Sequence, residues 1–118
     1  MTMDKIEELT KRLIDFRRQR DWEQFHKPKD LAISLCLEAA ELLEHFQWKS
    51  DKEVMDYVNS EALNKIQQEV ADIAIYLLLI CKDLKIDLYE AVSKKITKNE
   101  MRYPVEKSKG RSDKYNKL

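Results

Sequence analysis

Two pairs of acidic residues stand out against apolar surroundings. Glu38 and Glu41 are three residues apart, and so are Glu69 and Asp72. That spacing sets both members of a pair on one helix face, a turn apart. Leu35, Leu37, Ala39, Ala40, Leu42 and Leu43 surround the first pair; Val70, Ala71, Ile73, Ala74 and Ile75 surround the second. Ser34, Glu38, Glu41 and His45 form one narrow polar stripe, and Lys65, Glu69, Asp72 and Tyr76 form another. Packed antiparallel with the stripes facing, the two helices would gather four carboxylates in an apolar setting. Four such charges do not stay ionised together without compensation. A hard divalent cation supplies it, and Mg2+, which also takes phosphate oxygens, fits best. Either pair alone reads more simply as a solvated helix face. Two matched pairs, each interrupting an apolar helix, turn the balance toward a metal site. A di-iron bundle would want Glu-x-x-His on two helices. Here Glu44 and Asp72 follow Glu41 and Glu69 at that distance, which disfavours iron.

The elements that must position these acids are helices. A chain of 118 residues makes one domain, and one glycine with two prolines leaves few tight turns. Four main helices are expected. The first runs from about Met3 to Arg20, with Ile6, Leu9, Leu13 and Phe16 on one face. The second runs from about Asp30 to Phe46. The third begins after Ser50, which with Glu53 makes a capping box, breaks near Asn59–Ser60 and continues to about Leu84. The fourth opens at Asp87 and ends near Tyr103–Pro104. Residues 1–104 then form the domain, and residues 105–118 a polar, lysine-rich tail, extended or disordered alone. The second and third helices are apolar around most of their circumference, so they require burial on most sides. One small domain does not supply that cover. A homo-oligomer is expected, a tetramer ahead of a dimer, with these helices at the centre of a multi-chain bundle.

The composition also excludes. Equal numbers of basic and acidic residues, 22 each, argue against a nucleic-acid polymer as partner. No apolar run reaches the length of a membrane span, and no signal peptide is read at the start. Cys36 and Cys81 lie in apolar helical stretches and read as two buried thiols, which points to a cytoplasmic protein.

The ordered blocks Arg20 to His26 (Arg-Asp-Trp-Glu-Gln-Phe-His), Glu38 to Leu42 (Glu-Ala-Ala-Glu-Leu), Phe46 to Lys49 (Phe-Gln-Trp-Lys) and Glu69 to Leu77, followed by Lys95 with Asn99 and by Arg102 to Pro104, cover nearly the whole chain. In them the sequence resembles the MazG-like all-α nucleoside triphosphate pyrophosphatases, and within these the dCTP pyrophosphatase branch. The resemblance implies a four-helix MazG-like fold with Glu38, Glu41, Glu69 and Asp72 as Mg2+ ligands. It implies that Lys95 and Asn99 help hold the phosphates and that Trp22 and Trp48 border the base pocket; Arg102 shares the helix side of Lys95 and Asn99, as a triphosphate's donors would, and Tyr103 beside it is a further substrate-binding candidate. His26 reads equally as a phosphate contact or a loop cap, and His45 as a residue beside the site or on the surface. Two positions depart from the pattern. Many members carry a further Glu where this chain has Leu37, which leaves the general base and the number of metals open. Animal dCTP pyrophosphatases have a His where this chain has Ile14, which bears on cytosine specificity.

The implied reaction is in-line attack of water on the α-phosphorus of a nucleoside triphosphate, releasing monophosphate and pyrophosphate. Mg2+ would neutralise the phosphate oxygens and activate the water. Lys95 and Arg102 would offset charge on the leaving group, and Glu41 or Glu44 would position or deprotonate the water. dCTP or a related pyrimidine nucleotide is the expected substrate, with surplus or damaged nucleotides removed from the pool. Two alternatives stand beside this reading. One is an enzyme acting on dUTP or a modified nucleotide. The other is a non-catalytic oligomerisation module, which leaves acids on a buried face unexplained.

Overall fold

The computed structural model describes residues 4–118, so Met3, where the first helix is expected to begin, lies outside the described residues. Among the described residues every regular element is a helix: α1 (Lys5–Gln19), α2 (Pro28–Glu44), α3 (Asp51–Val58), α4 (Ala62–Asp83), α5 (Leu88–Arg102), α6 (Val105–Ser108) and a 3-10 turn, Tyr115–Lys117. No helix among them is long and apolar enough to cross a membrane. The chain divides into two compact units, one ending at Lys85 and the other Ile86–Leu118.

Local chemistry sets the helix ends of the first unit. Asp4 caps α1, its carboxylate accepting the Glu7 amide at 2.8 Å. α1 closes with Arg17 and Arg18 in its last turn, where cations suit the helix dipole. The chain then turns through Asp21 at φ 54°, a conformation Asp tolerates better than most residues. Pro28 opens α2 in its first turn, where a missing N–H does no harm. The expected capping box is present: the Ser50 hydroxyl accepts the Glu53 amide, and the Glu53 carboxylate accepts the Ser50 amide, both at 3.2 Å. The donated Ser50 amide holds the Glu53 carboxyl below its usual range. The expected break near Asn59–Ser60 is also real. Asn59 ends α3, and the Ser60 hydroxyl accepts the Ala62 amide at the start of α4.

α2 packs chiefly on α4, with α1 and α3 also laid against α4. Leu31 of α2 is 1% exposed, and with Ile66, Leu78, Leu79 and Cys81 of α4 it forms the buried core. Each such burial stabilises by roughly 1.5–3 kcal/mol. Arg17 of α1 is 7% exposed and meets Asp83 at the end of α4 through two parallel hydrogen bonds of 2.9 Å. That fork locks α1 to α4. The Asp83 hydrogen bond leads the effects raising the Arg17 pKa above its ordinary value.

Two expectations are corrected. Only Cys81 is a buried thiol, with its pKa raised by that burial; Cys36 lies on the exposed side of α2, and both are free. The tail is not featureless. In the second unit, Asp87 caps α5 by accepting the Glu90 amide at 3.0 Å. Pro104 ends that helix line, and its carbonyl accepts the Lys107 and Ser108 amides to start α6. Tyr115 then returns against Tyr103, edge to face at 6.2 Å, with the Arg102 guanidinium 4.4 Å above its ring. Aromatic and cation–π contacts thus order a segment that is polar by composition.

Candidate active site

Glu38 and Glu41 project from α2, and Glu69 and Asp72 from α4. Their mutual effect shows at Glu38, whose pKa is raised above the ordinary carboxylate value. Burial is the leading cause; a hydrogen bond with Glu41 follows, then the charges of Glu41, Asp72 and Glu69. The four acids therefore converge. The pairing is antiparallel, since His45 on the later side of α2 meets Glu69, while Glu38 faces the field of Asp72. Glu38 Oε2 is buried without a hydrogen-bond partner. As the side chains stand, no three acidic, histidine or cysteine residues among the described residues close around a common point. Like charges with nothing between them splay apart, so convergence without closure is the expected form of such a cluster. The donor set is all oxygen and anionic, and its orphaned buried oxygen fits a hard divalent cation.

His45 closes one side of the cluster. Its Nε2 lies against Glu69 Oε2, in close contact but without hydrogen-bond alignment. Its Nδ1 is 2.6 Å from the Tyr57 hydroxyl on α3. The sequence places His45 on the stripe of Glu38 and Glu41, which is the signal for its position. Nothing in the sequence singles out Tyr57.

A cleft of about 720 Å³ opens beside Asp72. Asp72 and Tyr76 line it from α4, Arg12 and Arg20 from α1, and Trp22 and His26 from the connection. Its volume suits a small-molecule ligand. Trp22 stands edge-on to Phe16 at 5.6 Å, and the Arg20 guanidinium covers the other ring at 3.7 Å. His26 is half-buried with Nδ1 unpartnered. Burial first, and then the Arg17 charge, lowers its pKa below the ordinary value of 6.5. The basic residues Arg12 and Arg20 and the cleft itself escape sequence reasoning, because Arg12 and Arg20 look like solvated helix surface until α4 is laid beside them.

The chain matches the model of the MazG-like family over residues 33–118. The chain belongs to the MazG-like family. Among similar MazG-like proteins, dCTP pyrophosphatase 1 of Rattus norvegicus is 39% identical over 96% of this chain and 67% of its own length. The Bos taurus protein of the same name is 40% identical over 96% of this chain and 68% of its own. The crystal structure of a pyrophosphatase from Archaeoglobus fulgidus superposes with a TM-score of 0.82, at 41% identity, over 88% of this chain and 96% of that one.

The structure brings together Glu38, Glu41, Glu69 and Asp72, and sets Trp22 and His26 in the cleft beside Asp72. It does not bring Trp48 to that cleft. Trp48 follows α2 at φ 66° and is 92% exposed. The remaining MazG-like candidates lie in the second unit. Lys95 and Asn99 are exposed on α5, whereas Arg102 and Tyr103 are half-buried against Tyr115.

Proposed function

We propose that this chain hydrolyses dCTP, or a closely related pyrimidine nucleoside triphosphate, to the monophosphate and pyrophosphate. It is a nucleoside triphosphate pyrophosphatase, and the observation that carries its chemistry is the convergence of four carboxylates on the half-buried Glu38 beside an aromatic cleft. Glu38, Glu41, Glu69 and Asp72 hold a divalent cation, Mg2+ by the hardness of its donors. When bound, the cation neutralises charge on the phosphate oxygens. Trp22 stacks on the base, Trp48 of another copy supplies the opposing wall, and His26 faces the nucleotide from the cleft wall. Lys95, Asn99, Arg102 and Tyr103 hold the phosphates, with Lys95 and Arg102 offsetting charge on the leaving pyrophosphate. Glu41 or Glu44 takes the proton of the attacking water. The relatives named dCTP pyrophosphatase support the choice of base and sugar.

The active form is a cytoplasmic homo-oligomer, a tetramer built from dimers with a dimer as the fallback. Ile33, Leu37 and Leu43 of α2 and Val70 and Leu77 of α4 are exposed in the single chain. So large an apolar surface supports burial against other copies.

A release assay for pyrophosphate across the common triphosphates, with and without Mg2+, tests this reading. Release from dCTP well above the others, and only with Mg2+, is expected. Equal release without any divalent cation, or none from any triphosphate, overturns it.

A further inference from the structure

The mechanism leaves His45 unused, yet both of its ring nitrogens are engaged. Nδ1 meets the Tyr57 hydroxyl at 2.6 Å, and Nε2 lies against Glu69 Oε2. The His45 side chain is 11% exposed and that of Glu69 is 19% exposed, so little water competes for either contact. Tyr57 is itself fixed. It sits on α3, whose start is pinned by the Ser50–Glu53 box, and the Lys49 ammonium lies 4.5 Å over its ring. The residue capping α2, one of α3 and one of α4 thus make a line that ends on an acid of the cluster.

We propose that His45, oriented by Tyr57, is a positioning residue for Glu69 and sets that carboxylate for the divalent cation; this rests on the pyrophosphatase reading above. A carboxylate oxygen only accepts, so His45 Nε2 bears the hydrogen. Nδ1 is then the acceptor of the Tyr57 hydroxyl, which selects this tautomer and holds the ring. The ring is thereby held against one Glu69 oxygen, where a small rotation of the carboxylate completes the hydrogen bond and directs its remaining lone pairs. Groups that orient a ligand in this way change cation affinity without touching the cation. A role in packing alone would stabilise the α2–α3 corner and leave that affinity alone.

Manganese titration of the full chain, followed by calorimetry without nucleotide, separates the two. His45→Leu is expected to weaken Mn2+ binding about ten- to hundredfold. His45→Gln, whose side-chain amide can donate in place of Nε2, recovers most of that loss. Tyr57→Phe keeps the ring under Lys49 and removes only the hydroxyl, and it weakens binding several-fold. Combined with His45→Leu, Tyr57→Phe adds nothing further, because the hydroxyl acts only through the ring. At saturating cation, KM for the nucleotide stays within about twofold of the parent in every folded variant. Where His45→Leu fails to fold, Tyr57→Phe and His45→Gln decide. Mn2+ affinity that is unchanged or raised in these variants, while Glu69→Gln abolishes binding, overturns the positioning role and leaves the cation site standing. A parent chain that takes up no Mn2+ at millimolar concentration overturns both.

Discussion

Burial and three neighbouring acids all oppose the charge of Glu38. Glu38→Gln therefore removes a destabilising charge from the cation-free protein along with a ligand. Turnover should fall at least about a hundredfold, while the cation-free melting temperature is unchanged or higher. Asp72→Asn should behave alike. Parent-like turnover at limiting Mg2+ in both variants would remove the assignment. His26 gives a pH signature. Its folded pKa is depressed below 6.5 by burial and by Arg17. The stability tied to its neutral form is present above pH 6.5 and lost as pH falls through the folded value. The melting temperature of the parent should drop across that interval more steeply than that of His26→Gln; parallel curves would contradict it. Trp48 is strained as well as exposed, since a bulky residue at φ 66° is disfavoured by about 1–2 kcal/mol. Trp48→Gly should raise stability by about 1 kcal/mol while weakening nucleotide binding roughly tenfold to a hundredfold, with cation affinity preserved. Denaturant melts and a paired titration with a non-hydrolysable triphosphate read both effects, and tight nucleotide binding would make the tryptophan structural only.

At the scale of the helices, one buried ion pair ties α1 to α4. Arg17 keeps its charge in a nearly water-free position only because Asp83 accepts both arms of the fork. Asp83→Ala leaves that guanidinium unpaired and should lower the unfolding free energy by about 3 kcal/mol in urea. Arg17→Met together with Asp83→Leu should restore much of it, because the double replacement leaves no buried charge behind. A loss in the double variant as large as in Asp83→Ala would show that the fork contributes net attraction beyond mutual cover. The starts of α3 and α5 were legible in the chain. Ser50 and Asp87 each cap a helix by accepting an amide three residues on. The tail was not legible, because Tyr115 reaches back over a dozen residues to Tyr103, and composition carries no record of such a return.

For the molecule as a whole, uncovered apolar surface dominates the argument about stability. A single chain buries five apolar residues among those described and leaves Ile33, Leu37, Leu43, Val70 and Leu77 exposed. Light scattering at micromolar concentration should therefore show an oligomer, with a tetramer expected. Leu77→Glu places a charge in the surface proposed to be covered and should shift the population toward smaller species, since burying an unpaired carboxylate is costly. A stable, folded parent monomer at that concentration would refute the assembly.

The sequence by itself determined the helices and the pairing of acids along them. Caps, prolines and a three-residue spacing act within a turn or two of chain, so they can be read in line. It determined the family as well, through ordered blocks from Arg20 to Pro104. Only the tertiary structure decided that three other acids oppose the charge of Glu38, that Arg17 is sealed by Asp83, and that His45 joins Tyr57 to Glu69. Those facts depend on the rotation of α1, α2 and α3 about α4. Packing of whole side-chain faces sets that rotation, and no local preference encodes it.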